Sequence, residues 1–298
     1  MKIIETKKLT KYYDRGKILG VKDLSLEVTE GEIFGFIGPN GAGKSTTIRL
    51  LLDIIMPTSG SALILGLDIH NDTVQIKKNV GYLPGEIFLN DSLTGDSCIK
   101  YYSGFKSKID KKYLADIIKR LDLDTERKVK DYSKGNKQKM AIVLALMHKP
   151  KLLILDEPTS GLDPLNQAEF YKIIHETKEF GTTTFFSTHI LAEAEKLCDR
   201  VAIIKEGKLL AIENVDEFRH KNIREIHIET KSAIPISGLK EEGVSKIEKT
   251  SFGYHLITTG ENGKLIKSLS KYEIDDIKIM EPSLEETFMH FYGKWQIL

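Results

Sequence analysis

Runs of apolar residues, spaced by segments of helical period, set the architecture of the first two thirds of the chain. Glu32-Ile33-Phe34-Gly35-Phe36-Ile37 and Leu152-Leu153-Ile154-Leu155 are short and nearly continuous, the pattern of strands buried on both faces. Thr182-Thr183-Thr184-Phe185-Phe186-Ser187 adds a β-branched and aromatic strand. Between them, residues 47–52, 170–178 and 191–197 read as helices. Residues 2–9 alternate as an edge strand, a second strand runs through 24–28, and 61–66 and 80–83 are short strands. Strands at 200–205 and 209–212 close an α/β domain. Its middle is different. From about 91 to 147 the period turns helical, with helices at 97–105, 111–121 and 138–147, so a helical lobe is expected over about 90–148.

Beyond residue 213 the pattern starts again. Strands are expected at 224–230, 253–259 and 274–280, with a helix at 262–272. Pro282-Ser283-Leu284-Glu285-Glu286 opens a last helix with a capping box, Ser283 at the N-cap and Glu286 three residues on. The expected division is an α/β domain at 1–213 and a small α+β accessory domain at 214–298, the latter with no evident chemical constellation.

Composition narrows the classes. A hydrophobic share of 41% and a charged share of 29% over 298 residues are those of a globular protein with a sizeable core. A net charge of +1 gives no field that would favour nucleic acid. Cys98 and Cys198 lack metal-type spacing and read as inert thiols. Met1-Lys2-Ile3-Ile4-Glu5 has no signal-peptide apolar core, and no apolar run approaches the ~20 residues of a membrane span. A cytoplasmic location is expected, with any membrane role exercised through a partner.

Chemistry concentrates at the ends of the apolar runs. Gly38-Pro39-Asn40-Gly41-Ala42-Gly43-Lys44-Ser45-Thr46 follows the strand at 32–37 and precedes a helix, the context of a phosphate-binding P-loop. Glycines let backbone N–H groups approach an anion, and the helix N-terminus adds partial positive charge. Lys44 is placed for the β- and γ-phosphates of a nucleotide and Ser45 for Mg²⁺. Asp156 and Glu157 end the strand at 152–155. Asp156 reads as a Mg²⁺ contact through water, and Glu157 as the group that polarises the attacking water. His189 ends the strand at 182–187 and reads as a γ-phosphate contact, because open α/β sheets bind ligands beyond their strand ends. Ser133, in Tyr132-Ser133-Lys134-Gly135-Asn136-Lys137-Gln138, is a natural N-cap, so a second helix N-terminus offers a second anion site. The nearby Arg127, Lys128, Lys130, Lys134, Lys137 and Lys139 read as a solvated face or an anion-facing one.

Together these residues, in this order, closely resemble the nucleotide-binding subunits of ATP-binding cassette (ABC) transporters over residues 1–212. The resemblance rests on the P-loop, the segment 132–136, the acid-tipped strand, Ser160-Gly161-Leu162-Asp163 and His189. It implies a P-loop NTPase fold, with a RecA-like core, an antiparallel β region and a helical lobe, and it implies ATP and Mg²⁺ as ligands. It also implies a head-to-tail dimer with a second ATP-binding subunit, in which Ser133 and Gly135 address the partner's γ-phosphate. Tyr13 stands where the family stacks an aromatic ring on adenine. Two departures are evident. The family's Leu-Ser-Gly-Gly-Gln signature retains only Ser133 and Gly135. Gly85 occupies the place of a metal-contacting Gln, leaving Glu86, one residue on, as the candidate metal contact. Both departures resemble the branch serving ABC-2 export permeases. The expected function is ATP hydrolysis that powers such an exporter, at the inner membrane face and through a multi-spanning permease. The rival is a soluble ABC ATPase acting on nucleic acid or ribosomes. Such proteins generally carry paired cassettes, long coiled coils or metal-binding inserts, and this chain has one cassette, no sustained heptads and no cysteine clusters.

Overall fold

The computed structural model describes residues 1–106, 109–219, 223–240, 243–259 and 262–280. The chain forms two compact units, Met1–Ile212 and Glu213–Leu298.

The first unit begins with β1 (Lys2–Tyr13), β2 (Ile18–Leu24), β3 (Glu27–Thr29) and β4 (Ile33–Ile37). Helix α1 (Lys44–Leu51), β5 (Ser59–Ile64), β6 (Leu67–Asp68), α2 (Thr73–Asn79) and β7 (Val80–Leu83) follow. The lobe helices are α3 (Gly95–Ser103), α4 (Lys111–Arg120) and α5 (Lys134–Leu146). Then come β8 (Leu152–Asp156), α6 (Pro164–Glu179), β9 (Thr183–Thr188), α7 (Leu191–Leu197), β10 (Arg200–Lys205) and β11 (Lys208–Asn214).

Among the described residues, one sheet has the order β11-β10-β4-β9-β8-β7, and its pairs from β10 to β7 are parallel. Every residue of β4, β8 and β9 is buried, as the apolar runs require. Parallel strands in register bring their C-terminal ends to one edge, so the residues after β4, β7, β8 and β9 meet there. A second, antiparallel sheet is built around β1, which pairs with β2, β3 and β5. The edge-strand expectation for residues 2–9 is therefore corrected: the strand is longer and lies inside its sheet. Alternation reports which face is buried and says nothing of what pairs at the strand's sides.

The lobe helices are capped by their own side chains. Thr94, Asp110 and Ser133 each accept a hydrogen bond from a backbone N–H in the first turn of α3, α4 and α5. Arg120, at the end of α4, reaches Glu169 (2.6 Å) and Glu176 (2.8 Å) on α6, tying the lobe to the helix layer. Helix α6 starts at Pro164, capped by Asp163, six positions before the apolar pattern reveals it. Cys98 and Cys198 are free and buried, and desolvation raises both thiols above their ordinary range.

In the second unit, α8 (Val215–Arg219) precedes β12 (Ile223–Glu229), followed by α9 (Ile236–Leu239), β13 (Val244–Thr250), β14 (Gly253–Thr259), α10 (Gly263–Leu269) and β15 (Asp276–Met280). The sheet order is β13-β14-β12-β15, with antiparallel pairs throughout. Ile226, Ile228, Tyr254, Leu256, Leu265 and Leu269 form its core. Strand β13 goes unread in the sequence, because its residues are mostly exposed and three of them, Lys246, Glu248 and Lys249, are charged, as suits a sheet edge. The helix expected from Ser283, with its Glu286 partner, lies outside the described residues.

Candidate active site

The P-loop connects β4 to α1 through backbone shapes that need glycine at two positions. Gly43 sits at φ +108°, and a Cβ there would lie 2.5 Å from the Gly20 carbonyl oxygen. A Cβ on Gly38 would lie 2.5 Å from the Ile204 carbonyl oxygen. The loop is thus pressed between β10 and the β2 strand.

Lys44 is 5% exposed. Its Nζ donates to the carbonyl oxygens of Gly38 (2.7 Å) and Pro39 (3.2 Å) and lies 3.3 Å from Glu157 Oε1. Glu157 takes φ +49°, a left-handed conformation that costs a residue with a Cβ about 1–2 kcal/mol. Hydrogen bonds hold it there: its N–H donates to the Ser187 carbonyl oxygen at 3.1 Å. His189 Nδ1 is 3.1 Å from the same Glu157 oxygen. One carboxylate therefore faces both a lysine and an imidazole, each from a different strand end.

Asp156 is 4% exposed, and Ser187 Oγ donates to its Oδ1 at 2.6 Å. Its Oδ2 faces Gly85, where an added Cβ would sit 3.2 Å away. Gly85 therefore lies against the buried carboxylate. Glu86 lines another cavity, of about 500 Å³, with Tyr132, Lys134, Lys137 and Gln138.

Tyr13, Gly20, Asn40, Gly41, Gly43, Lys44, Ser45, Thr46 and Glu157 line a cavity of about 220 Å³. That is below the roughly 300–1,000 Å³ of complete small-molecule sites. The Tyr13 hydroxyl is 3.2 Å from Thr46 Oγ1, which sets the ring on the wall of the same cavity. The donor set fits a nucleoside triphosphate and its cation: loop amides, a buried ammonium, the Ser45 hydroxyl and a buried aspartate.

Ser133 and Gly135 belong to a second element, the start of α5. Ser133 caps α5, accepting from the Asn136 N–H at 3.2 Å, and it remains exposed. A Cβ on Gly135 would lie 2.8 Å from the Gly161 carbonyl oxygen, so the start of α5 packs closely on the loop at 160–163. Gln138 Nε2 donates to the Pro158 carbonyl oxygen at 2.6 Å, joining the same helix to the segment that follows Glu157. Of the basic cluster, Lys139 is buried against the Asp122 carbonyl oxygen (3.4 Å), and Lys137 pairs with Asp91 (3.1 Å).

One group escaped sequence reasoning. Glu193 on α7 is 7% exposed and accepts from Thr188 Oγ1 (2.6 Å) and Thr159 Oγ1. Tyr171 also hydrogen-bonds to it, and burial followed by the Glu193 charge pushes that phenol far up. The buried carboxylate joins the residue before His189 to the loop after Glu157. In sequence it is an acid in the first turn of a helix, a common exposed position, and nothing marks it further.

A strand-end P-loop lysine facing a strand-end glutamate defines a P-loop nucleotide hydrolase. A family model described as ABC transporter matches residues 21–160. The bacitracin transport ATP-binding protein BcrA of Bacillus licheniformis is 36% identical over 300 residues, 98% of this chain and 97% of the relative. A solved ATP-binding subunit of an ABC transporter superposes with a TM-score of 0.68 at 31% identity, over 73% of this chain and 92% of that one. The dimeric post-hydrolysis cassette MJ0796, bound to ADP and Pi, gives a TM-score of 0.65 at 25% identity, over 71% and 98%. The chain belongs to the family of ABC transporter ATP-binding proteins, and it is an ATPase subunit of a transporter.

Proposed function

We propose that this chain drives an ABC-2-type exporter as one half of a head-to-tail dimer, docked on the inner membrane face by a multi-spanning permease. The observation that supports the dimer is a second anion-binding end, the exposed and capped helix N-terminus at Ser133, in addition to the gathered Lys44, Glu157 and His189. Each ATP is held by one subunit's P-loop and capped by the other's Ser133 and Gly135.

Lys44 and the loop amides bind the phosphates, and the Tyr13 ring lies against adenine. Phosphate oxygens compete with Glu157 for Lys44, freeing the carboxylate to take the proton of the attacking water. His189 keeps that carboxylate in place through Nδ1 and turns its other nitrogen toward the γ-phosphate. Ser45 and Asp156 would hold Mg²⁺, which when bound neutralises phosphate charge. Gly85, lying against Asp156, leaves no side chain of its own for the ion, and Glu86, the next residue, is the candidate to supply one.

Support for a permease comes from an apolar groove of about 450 Å³ lined by Leu52, Ile54, Val80, Ile87, Phe88 and Leu144. Phe88 is 83% exposed. The loop that begins with Gly85 at Asp156 thus ends in this groove, so a helix seated there pulls on the catalytic edge. Similarity to a bacitracin transport protein along nearly the whole chain, and the two departures from the family pattern, support the export branch. Among the described residues no helix is long and apolar enough to cross a membrane. The test is affinity purification of the native chain from membranes. Recovery of a multi-spanning membrane protein, and ATPase stimulation by it, are expected; a chain recovered alone with full activity as a monomer would overturn the reading.

A further inference from the structure

The accessory unit carries a cluster that the ATPase reading does not use. Glu225 and His227 lie two residues apart on β12, so their side chains share one face. His255 on β14 is the cross-strand partner of His227, and Glu248 on β13 is the partner of His255. The opposite face carries Ile226, Ile228, Tyr254 and Leu256, so these polar groups stand on the side away from the unit's core.

Their geometry is that of a ligand set. His255 Nε2 lies 3.4 Å from Glu225 Oε1, and His227 Nε2 lies 3.8 Å from Glu225 Oε2. One donor atom from each of the three residues falls within 4.8 Å of the others. Two ligands at about 2.0–2.1 Å from a shared tetrahedral ion stand roughly 3.4 Å apart. The imidazoles stack with centroids 4.5 Å apart and planes at 24°.

Two further observations point to an ion. His255 Nε2 is buried without a hydrogen-bond partner. A buried ring nitrogen left unpaired carries a desolvation cost that coordination removes. The other nitrogen, Nδ1, lies 3.5 Å from Glu248 Oε2, the carboxylate–imidazole arrangement that fixes a metal-binding tautomer. Glu225, 8% exposed, supplies the negative charge that a cation would balance. Lys278 faces His227 across β15, but its ammonium is directed to Glu229 (3.4 Å) and Asp276 (3.3 Å).

We propose that Glu225, His227 and His255 form a binding site for a divalent transition-metal ion of the Zn²⁺ class, with Glu248 orienting His255. Two nitrogens and one carboxylate oxygen match the preferences of such an ion and are poor for Mg²⁺, which takes oxygen ligands. Three protein ligands leave a fourth position for water, and the site pins β12 to β14.

The experiment titrates the untagged full-length chain with Zn²⁺ in excess Mg²⁺, against a chromophoric chelator. One Zn²⁺ per chain is expected. The H227A/H255A double variant and Glu225→Gln should each weaken that binding by at least about tenfold, while basal ATPase stays at the parent rate. Equal Zn²⁺ binding in parent and variants overturns the site, as does a parent that binds no Zn²⁺. Co²⁺ added to the parent chain gives a check that needs no variant. Visible d–d bands of a four-coordinate ion, displaced by Zn²⁺, support the proposal, and a spectrum that stays that of aqueous Co²⁺ overturns it.

Discussion

The P-loop and the start of α5, two helix N-termini of the first unit, are built in opposite ways. At the P-loop, Lys44 is buried and already engaged by Gly38, Pro39 and Glu157, and the neighbouring Asp156 is fixed by Ser187. At the start of α5, Ser133 is exposed, and its one capping contact is with its own helix. The first end is preorganised by the crowding of parallel strand tips. The second is presented outward. Under the proposed head-to-tail dimer, the preorganised end supplies the chemistry and the exposed end of a second chain closes the site.

The largest effect that tests this contrast falls on the buried end. Glu157→Gln removes the base but keeps the shape, so ATP hydrolysis should fall by about 10²–10³ while nucleotide binding persists. Steady-state ATPase and nucleotide-binding measurements on one preparation check it, and a parent-like rate would remove Glu157 from the mechanism.

The exposed end is tested by mixing. Ser133→Arg should silence a homogeneous dimer by blocking the partner's site. Combined with Glu157→Gln chains before ATP is added, it leaves one intact site in each mixed dimer. With random pairing, about a quarter of the parent activity should return. If mixing restores nothing, the two ends do not serve each other across subunits.

Glu193→Gln should cost less, roughly tenfold in kcat with a small change in KM. It disturbs hydrogen bonds to Thr188 and Thr159 without touching the phosphate groups. A larger loss at Glu193→Asp than at Glu193→Gln, with melting temperature unchanged, would mean that length matters more than charge.

The smallest effect concerns the seam between lobe and core. His148 Nε2 bonds the Val80 carbonyl oxygen, and its Nδ1 is buried without a partner. Burial, helped by Lys106, pushes this imidazole down to about 4. The folded pKa lies below the unfolded value near 6.5, so the unfolded chain binds the extra proton first. Stability is fully present above about 6.5 and is lost as pH falls toward about 4, by roughly 1–3 kcal/mol. Denaturant midpoints of the parent and His148→Gln should converge on acidification, and parallel curves would deny His148 this role.

Legibility in the sequence differs from residue to residue. The glycines of the P-loop, Lys44 and the acid pair are readable because their chemistry needs those residue types within one short segment. Ser133 is readable as a helix cap for the same local reason. Glu193 is not, since its role arises from Thr159, Thr188 and Tyr171, all distant in sequence from one another. The packing of Gly85 against Asp156 likewise depends on how one loop turns after β7. Strand β13 and the site around His227 are hidden because an edge strand with charged residues looks like a loop, and cross-strand register is absent from a linear pattern.

The amino-acid order by itself determined the strand-and-helix alternation, the phosphate loop, the acid-tipped strand and the existence of a second unit. Those are properties of local period and of residues adjacent in the chain. The tertiary structure alone decided that β1 is an interior strand and that Lys44 and His189 meet on the Glu157 carboxylate. It also placed Glu225, His227 and His255 together. Each of these is fixed by the pairing of strands far apart in sequence, and pairing is chosen by the burial of the whole sheet rather than by any one segment.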